Sequence, residues 1–386
     1  MKFSLKFALV LCLACLCLSF SGVFAQTSSI TSVTSPTTVN LNSVFIVNNI
    51  TGTNNDLTAL NAWAVGDGGV IVWWNGNSWA NVNSPTTANL YSVFFTNSSS
   101  GWAVGGTSNN GVILNYNGTW NVWNKVSFSG NASGTDKINA TLYSVTADST
   151  GMIGWAVGAN GTTLGWNGVA WFGVPNSSTT TLRSVGMIHN STDAWAVGDN
   201  GTIIHWNGNA WVSMTSSTNA NLYTIQVLNA TVAWAGGGST NNGTLLMFNG
   251  LNWDVWNKIN FGGPVNSTAG YVTDSINATV NSISVNNASS AWAVGGKGTV
   301  LFWTGTEWDG QINVASGVNL RGVSVVHGNF SSSAQAWAVG DSGKIVAWTG
   351  ASWVPEFPII AIPVLLSIGL VIAIFGKTRL FKKTIN

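Results

Sequence analysis

Ala194-Trp195-Ala196-Val197-Gly198-Asp199-Asn200-Gly201 recurs along the chain in close variants, and this repetition is the strongest indication of the fold. Each variant follows an apolar strand start, and these starts lie near residues 41, 90, 142, 182, 222, 280 and 320. One tryptophan marks the centre of each copy: Trp63, Trp102, Trp155, Trp195, Trp234, Trp292 and Trp337. Self-similarity at a period of roughly forty residues is the signature of a repeat architecture. The chain is therefore built from seven copies of one supersecondary unit.

The fourth copy shows how one unit is expected to fold. The apolar start at Leu182, the tryptophan phrase and the β-branched run 202–206 each predict a strand. Asp199-Asn200-Gly201 predicts a turn, and Asn207-Gly208 is a dipeptide typical of a two-residue hairpin before a fourth strand at Trp211. Four short antiparallel strands in about forty residues predict one β-propeller blade.

The two ends of the repeat region predict that the array is closed, which favours a propeller over a solenoid or a sandwich. The last copy ends near Trp353 with little fourth strand, and residues 30–41 parallel residues 79–90, where a fourth strand is expected. An N-terminal strand would complete the seventh blade and remove a free sheet edge. The predicted fold class is all-β, a seven-bladed β-propeller of four-stranded blades over residues 26–354.

A second level of repetition links the second and fifth copies. The second copy ends Val122-Trp123-Asn124-Lys125, the fifth ends Val255-Trp256-Asn257-Lys258, and a long insertion follows each of them. Blades two to four and five to seven are therefore predicted to be copies of a three-blade ancestor.

The termini predict export and a membrane anchor. Residues 1–25 have the form of a secretory signal peptide, in which Lys2 and Lys6 precede an apolar stretch that holds all three cysteines. The apolar run 357–376 is long enough to cross a membrane as a helix, and four basic residues follow it. We expect a C-terminal transmembrane helix within an anchor segment 355–386, and hence a type I single-pass protein whose repeats are extracellular.

The anchor segment begins with Val354-Pro355-Glu356-Phe357-Pro358. This stretch resembles the PEF-CTERM sorting tails of archaeal surface proteins. The resemblance implies an archaeal cell-envelope protein whose tail is cut by an archaeosortase-type enzyme, with a lipid anchor taking the place of the helix.

The repeat resembles the β-propellers of the photosystem II assembly and stability factor family, which is related to BNR or Asp-box repeats. The third copy carries the matching residues, namely Leu142, Ser144, Val145, Gly154, Trp155, Ala156, Val157, Gly158, Gly161 and Thr162. The likeness covers roughly residues 41–353, but the last turn is Trp-Asn-Gly or Trp-Thr-Gly in place of that family's Asp-Gly-Gly type. It implies the fold, whereas the photosynthetic role does not follow from it.

Composition favours a protein that is not an enzyme and needs no cofactor. Only 6 % of the residues are charged, against roughly a quarter in typical soluble domains, and no basic stripe indicates nucleic-acid binding. A sialidase needs an arginine cluster, but the exported region holds only Arg183 and Arg321. The enzymatic alternative is an extracellular glycoside hydrolase that uses loop carboxylates.

The remaining titratable residues are expected to be structural. Asp67, Asp199 and Asp341 recur at one turn and are predicted to be solvated turn caps. His189, His205 and His327 show no metal-ligand spacing, so they are predicted to be surface or packed imidazoles.

The second position of the Leu-x-Ser-Val strand start supplies the candidate binding residues. Because first strands line the channel of other propellers, these side chains are predicted to form a ring at one channel mouth: Asn42, Tyr91, Tyr143, Arg183, Tyr223, Asn281 and Arg321. Tyrosine and arginine are favoured at interaction hot spots. The alternative is that the seven side chains only fill the space between first strands.

The chain's 22 tryptophans have two interpretations, blade-to-blade packing or stacking on sugars. Packing is favoured for the recurring Ala-Trp-Ala-Val-Gly set, whereas a closing set near the outer strands is open to both: Trp79, Trp171, Trp211, Trp308 and Trp353.

Many Asn-x-Ser/Thr sequons are candidate N-glycosylation sites, and glycans would supply the solubility that the low charge does not. The candidates are Asn97, Asn131, Asn139, Asn190, Asn229, Asn266, Asn277 and Asn329. Together these features predict a non-catalytic binding or structural module that recognises an envelope protein or glycan. The alternatives are the hydrolase and an assembly factor or scaffold.

Overall fold

The computed structural model describes residues 24–47, 61–130, 133–188, 192–256, 258–261, 274–311, 314–315, 317–326 and 336–355. One compact unit, Ile30–Gly350, holds the seven repeats. The second unit consists of Met1–Ser29 and Ala351–Asn386, of which residues 24–29 and 351–355 are described as strand. Nearly all of the predicted signal peptide and of the predicted anchor lies outside the described residues. Within the described ranges, no helix is both long and apolar enough to cross a membrane.

The described residues form thirty strands in seven sheets, one for each repeat. The first strand, β1, is Phe24–Val33. Blade 1 contains β2 Leu41–Val47, β3 Asn61–Gly66, β4 Ile71–Trp74 and β5 Trp79–Val82. Blade 2 contains β6 Leu90–Asn97, β7 Ser100–Thr107, β8 Asn110–Tyr116 and β9 Trp120–Val122. Blade 3 contains β10 Val126–Ser127, β11 Leu142–Ala147, β12 Gly154–Gly158, β13 Thr163–Trp166 and β14 Trp171–Gly173.

Blade 4 contains β15 Leu182–Met187, β16 Ala194–Gly198, β17 Ile203–Trp206 and β18 Trp211–Ser213. Blade 5 contains β19 Leu222–Asn229, β20 Val232–Ser239, β21 Asn242–Phe248 and β22 Trp253–Val255. Blade 6 contains β23 Ile259–Asn260, β24 Val280–Asn287, β25 Ser290–Gly295, β26 Val300–Trp303 and β27 Trp308–Gln311. Blade 7 contains β28 Leu320–Val325, β29 Ala336–Gly340 and β30 Ile345–Pro355. The seven-bladed, all-β prediction is confirmed.

The prediction of four strands in every blade is wrong for blades 3 and 6. In each of these blades the long insertion begins with a two-residue strand, β10 or β23, that pairs in parallel with the outermost strand of the blade. Val126 lies opposite Trp171, and Ile259 lies opposite Trp308. The insertions therefore cover an outer sheet edge that would otherwise expose unpaired backbone groups.

The predicted closure by the N-terminal strand is confirmed. The sheet of blade 7 has the order β1-β30-β29-β28, so β1 takes the outermost position. The segment after β1 also meets the turn of blade 7, since the Ser342 N–H donates to Asn40 Oδ1 at 3.0 Å. Asn89 Oδ1 accepts the same kind of hydrogen bond from the Gly68 N–H in the turn of blade 1, at 2.8 Å. Residues 35–40 therefore contact the turn of blade 7 as residues 84–89 contact the turn of blade 1.

The fourth blade follows its sequence prediction, except at the outer hairpin. Trp206 pairs with Trp211, which leaves a four-residue loop in place of the predicted two-residue turn. The side chain of Asn207 explains the loop, because its Oδ1 accepts the backbone N–H groups of Asn209 and Ala210, each at 3.0 Å. An asparagine that bonds its own loop stabilises a turn without a tight two-residue hairpin.

The tryptophan of each second strand packs against the next blade. Trp155 of blade 3 lies between Trp206 and Trp211 of blade 4, with ring centroids 4.7 and 4.8 Å away. Trp337 of blade 7 contacts Trp74 and Trp79 of blade 1 in the same way, at 4.9 and 5.3 Å. Seven hydrophobic clusters result, each spanning one junction between blades. Packing between blades is therefore confirmed for this set.

Each tryptophan phrase ends in a glycine, and this glycine lets the second strand approach the backbone just before the first strand of the same blade. A Cβ added at Gly198 would lie 2.1 Å from the carbonyl oxygen of Thr181, the residue before the first strand of the same blade. The equivalent Cβ at Gly66 would lie 2.0 Å from the carbonyl oxygen of Asn40. Any side chain here would push the second strand away from the first.

A belt of hydroxyl groups joins the first strands of neighbouring blades. The serine of Leu-x-Ser-Val accepts a backbone N–H from the next blade, as Ser184 Oγ does from Ile225 at 3.1 Å. Six junctions use this position, with Thr224 replacing serine in blade 5. At the seventh junction Gly322 takes its place, and Ser324 Oγ accepts from Ile46 N–H at 3.0 Å instead. The hydroxyl belt thus provides acceptors for backbone N–H groups of the first strands that have no partner in an adjacent strand.

We expect Ser184→Ala to lower the free energy of unfolding by about 1–3 kcal/mol, because the Ile225 N–H would lose its acceptor in a partly buried position. Ser184→Thr is the matched control, since Thr224 performs the same role in blade 5 and the hydroxyl is retained. Urea unfolding followed by circular dichroism measures both. Equal stability of the alanine and threonine variants would contradict the role of the belt.

Candidate functional site

The first strands of the seven blades surround one central cavity. Each contacts the first strand of the next blade, and β28 contacts β2, so the circle is complete. The cavity has a volume of about 1050 Å³ and is lined by residues from all seven first strands. Ligand sites are commonly about 300–1000 Å³, so this cavity is large enough for a small ligand or part of a chain.

All seven predicted ring residues line this cavity: Asn42, Tyr91, Tyr143, Arg183, Tyr223, Asn281 and Arg321. Each of them is half-buried. A register shift occurs at this position in every blade, for example between Leu182 and Ser184, so the second residue is the extra residue of a β-bulge. Bulges re-aim a side chain relative to the regular sheet. Here the bulge turns one side chain per blade toward the cavity at the start of the first strand.

Blades 2 to 5 contribute an aromatic and cationic arc, which consists of Tyr91, Tyr143, Arg183 and Tyr223. The rings of Tyr91 and Tyr143 are 5.2 Å apart between centroids. The Arg183 guanidinium carbon lies 5.1 Å from the Tyr143 ring centroid and 5.9 Å from that of Tyr223. Contacts at these distances are cation–π interactions, which also order the long arginine side chain.

Two aspartates of the recurring turn hold the two arginines. Arg183 Nε and Nη2 donate to the two carboxylate oxygens of Asp199 at 2.8 and 2.9 Å. Arg321 Nε donates a single hydrogen bond to Asp341 Oδ1. The hydrogen bonds to Asp199 raise the pKa of Arg183, against the opposing effect of its burial. The prediction of solvated turn caps is therefore wrong for these aspartates, because their carboxylates face the ring.

Blades 6, 7 and 1 contribute a polar arc, Asn281, Arg321 and Asn42, which is tied to the fold. Asn281 Nδ2 donates to the Leu320 carbonyl at 2.8 Å, and Asn42 Nδ2 donates to the Leu90 carbonyl at 2.9 Å. Arg321 Nη1 donates to Asn42 Oδ1 at 3.3 Å across the junction between blades 7 and 1. These side chains join neighbouring blades, so the blade 2 to 5 arc is the better candidate for ligand contact.

A set of asparagines supporting this mouth was missed in the sequence. Asn40 Nδ2 donates to Asp67 at 3.0 Å, while its Oδ1 binds the turn of blade 7. Asn319 Nδ2 donates to Asp341 at 2.9 Å, and its Oδ1 accepts the Lys297 N–H at 3.1 Å. Each asparagine thus links the turns of two adjacent blades. The signal was the recurring Asn-Leu pair at the start of blades 1, 2, 5 and 7.

Asp148 lies at the other end of the cavity and is its only acidic lining residue in the described ranges. Burial raises the pKa of Asp148, but the Thr150 hydroxyl and the backbone N–H groups of Ile153, Thr150 and Met152 outweigh that effect and leave it below its usual range. The carboxylate accepts the Met152 and Ile153 N–H groups at 3.0 Å each. It therefore shapes a loop, and no second carboxylate of the described chain lines the cavity beside it.

His205 is a packed imidazole, as predicted. Its ring stacks on Trp195 with centroids 4.2 Å apart, and its Nε2 lies 3.9 Å from Asp193. His189 and His327 lie outside the described residues. Among the residues whose positions are described, no group of three or more His, Cys, Asp or Glu side chains could hold a metal ion.

The four closing tryptophans whose side chains are described are buried, so these four leave no ring face for a sugar. Trp79, Trp171, Trp211 and Trp308 are at most 5 % exposed. The side chain of Trp353 is not among those described. Of the candidate glycosylation sites, Asn97, Asn139, Asn229 and Asn277 are exposed. Asn131, Asn190, Asn266 and Asn329 lie outside the described ranges.

The fold and the cavity define the chain as a seven-bladed β-propeller with a ring of polar and aromatic side chains at one channel mouth. Two solved structures with this fold are "YCF48 bound to D1 peptide" and "YCF48 from Cyanidioschyzon merolae". The first is 13 % identical with a TM-score of 0.59, covering 86 % of this chain and 98 % of that chain. The second is 16 % identical with a TM-score of 0.56, covering 83 % and 98 %.

A third similar structure, "Crystal structure of RRP9 WD40 repeats", is 7 % identical with a TM-score of 0.60, covering 85 % of this chain and all of that one. No protein-family model matches the chain, and no curated protein does. At these identities the likeness shows the fold alone.

His205 predicts a pH dependence of stability. Burial lowers the pKa of His205, and Asp193 only partly opposes this effect, so the unfolded chain binds the proton more readily. The free energy of unfolding should therefore fall as the pH is lowered through about 6.5, the pKa of an unperturbed histidine. His205→Phe keeps a ring against Trp195 and should flatten this dependence between pH 7.5 and 5.5. Thermal melting across that range measures it, and an unchanged slope in the variant would contradict the assignment.

Proposed function

We propose that this chain is a non-catalytic recognition module that binds a protein segment or a glycan at the channel mouth. The arc Tyr91, Tyr143, Arg183 and Tyr223 supports this function, because it places three tyrosines and an ordered arginine around one side of the central cavity. Tyrosine and arginine supply large contact area and several hydrogen-bond donors, and they dominate binding hot spots.

The pairing of charges at the mouth favours a ligand without strong net charge. Arg183 and Arg321 each have an aspartate partner, and Asp67 accepts hydrogen bonds from the amides of Asn40 and Asn42. A highly anionic ligand would compete with these carboxylates for the guanidinium groups. A peptide backbone or a neutral sugar can instead stack on the tyrosine rings. It can also accept hydrogen bonds from the arginine N–H groups that the aspartates do not use.

One similar structure supports a protein ligand. Its title describes YCF48 bound to D1 peptide, so a propeller with this fold accommodates a peptide. The identity of 13 % transfers no residue role to this chain. A protein segment is therefore the first ligand class to test, and a glycan is the second.

We further propose that the module acts at the outer face of a cell membrane. The signal peptide expected at residues 1–25 and the apolar run 357–376 with its basic flank support export and anchoring. The PEF-like stretch supports an archaeal envelope and an archaeosortase-type processing enzyme as a further partner. In this arrangement the ligand belongs to the cell envelope.

The test is capture of ligands from an envelope extract and on a glycan array by residues 26–354, which include the compact unit Ile30–Gly350. A variant carrying Tyr91→Ala, Tyr143→Ala, Arg183→Ala and Tyr223→Ala should lose affinity by about 30-fold or more, the effect of one hot spot of about 2 kcal/mol. The matched control carries Leu251→Ala and Val255→Ala, which remove exposed side chains from the outer edge of blade 5.

Retention by the control and loss by the arc variant is the expected result. Equal retention by all three proteins, or none by any, would reject the arc as a binding surface and favour a scaffold. Conversion of a bound glycan to shorter products would favour the hydrolase alternative.

A further inference from the structure

Three turns on one face of the propeller share a feature that the channel mouth does not use. They connect the first and second strands of blades 2, 5 and 6, and the first strands end at Asn97, Asn229 and Asn287. Each of these asparagines starts an Asn-x-Ser/Thr triplet, completed by Ser99, Thr231 or Ser289. The three asparagines lie at equivalent register positions, opposite Ser100, Val232 and Ser290.

These turns lie on the face opposite the channel mouth. The ring residues start the first strands, whereas the three asparagines end them. Tyr91 and Asn97 are six residues apart in β6, a distance of about 20 Å at about 3.3 Å per residue. A group attached to Asn97, Asn229 or Asn287 would therefore extend away from the ring.

The geometry of each turn presents the amide nitrogen to solvent. The side-chain Oδ1 accepts the backbone N–H two residues later, at 2.8 Å in Asn97 and 2.9 Å in Asn229 and Asn287. All three asparagines are exposed, and no hydrogen bond in the described part of the chain uses their Nδ2 atoms. Nδ2 is the atom to which an N-linked glycan is attached.

Asn176 is an internal contrast. It also starts a sequon, Asn176-Ser177-Ser178, but its Nδ2 donates to the Gly161 carbonyl at 2.7 Å and to Thr163 Oγ1 at 3.0 Å. A glycan there would break both hydrogen bonds in a partly buried position. The two kinds of sequon therefore differ in structure although their triplets are alike.

We propose that Asn97, Asn229 and Asn287 carry N-linked oligosaccharides, which form a glycosylated face opposite the channel mouth. Blades 1, 4 and 7 repeat the pattern in sequence between their first and second strands, at Asn49, Asn190 and Asn329, which lie outside the described residues. Blade 3 has Asp148 at this point, and its carboxylate is buried.

The composition gives the glycosylated face a physical role. Charged residues make up only 6 % of the chain, and the mean hydropathy is +0.26. Oligosaccharides are bulky and solubilising, so a face that carries several of them supplies hydration that charge does not. Placement opposite the ring keeps the mouth accessible. The inference rests on the proposed export, because oligosaccharides are added to asparagines of exported chains.

The test is glycopeptide mass spectrometry on the full chain purified from its own cells, together with sequencing of its N-terminus. We expect saccharide mass on the peptides that contain Asn97, Asn229 and Asn287, and none on Asn176. Ser99→Ala, Thr231→Ala and Ser289→Ala should each remove one glycan while keeping the asparagine and its bond to the backbone N–H. Ser98→Ala is the matched control, because it leaves the Asn97 triplet intact.

Bare Asn97, Asn229 and Asn287 in a chain that begins near Gln26 would overturn the inference and leave the proposed export standing. A chain that retains residues 1–25 and carries no glycan would overturn both proposals. Equal modification of Asn176 would also overturn the inference, because accessibility of Nδ2 would then not decide the site. Ligand capture by a variant that carries Ser99→Ala, Thr231→Ala and Ser289→Ala together should equal that of the unchanged chain, which separates this inference from the function of the ring.

Discussion

The second-strand tryptophan of every blade packs on at least one aromatic ring of the next blade, and these contacts hold the seven sheets together. Trp155, Trp234 and Trp337 show the same arrangement, with partner rings about 5 Å away in two neighbouring strands. Aromatic pairs add roughly 0.5–1.5 kcal/mol beyond the area they bury, and this gain recurs around the circle. All three cysteines lie within the first 17 residues, so no disulfide bridges the blades.

The same packing determines where functional side chains can appear. The tryptophans and the hydroxyl belt fix the distance between first strands. The bulge in each first strand then turns one side chain per blade toward the channel mouth. The junction between blades 7 and 1 departs from the pattern. A Cβ at Gly322 would lie 2.9 Å from Ser43 Cα, so serine cannot occupy this position, and the belt shifts two residues to Ser324. The cross-junction bond from Arg321 to Asn42 adds a contact at this junction.

Much of the fold could be predicted because the repeat shows the same pattern seven times. The strand order, the closure by residues near Ser35 and the packing role of Trp195 all follow from local patterns that recur. The fifth strands of blades 3 and 6 could not be predicted, because two residues such as Val126 and Ser127 carry no periodicity of their own. The ion pair between Arg183 and Asp199 was also missed, since turn aspartates usually bond local backbone and only the bulge turns Arg183 toward this one.

The site itself was only half predictable from sequence. The second position of each first strand marked all seven ring residues, and all of them line the cavity. The division into two arcs depends on partners distant in sequence, such as the Leu320 carbonyl that holds Asn281. Residue type alone could not separate the two arginines, because Arg321 bonds Asn42 in the polar arc whereas Arg183 packs on tyrosine rings in the other.

In the proposed function, the ligand contacts the arc of blades 2 to 5. The most direct measurement is photo-crosslinking with a benzophenone amino acid placed at Tyr143 in one protein and at Leu251 in another. Leu251 is 77 % exposed and lies in the outer hairpin of blade 5, away from the mouth. We expect a ligand from the envelope extract to be crosslinked only by the probe at position 143. Capture only at position 251, or equally at both positions, would contradict this expectation.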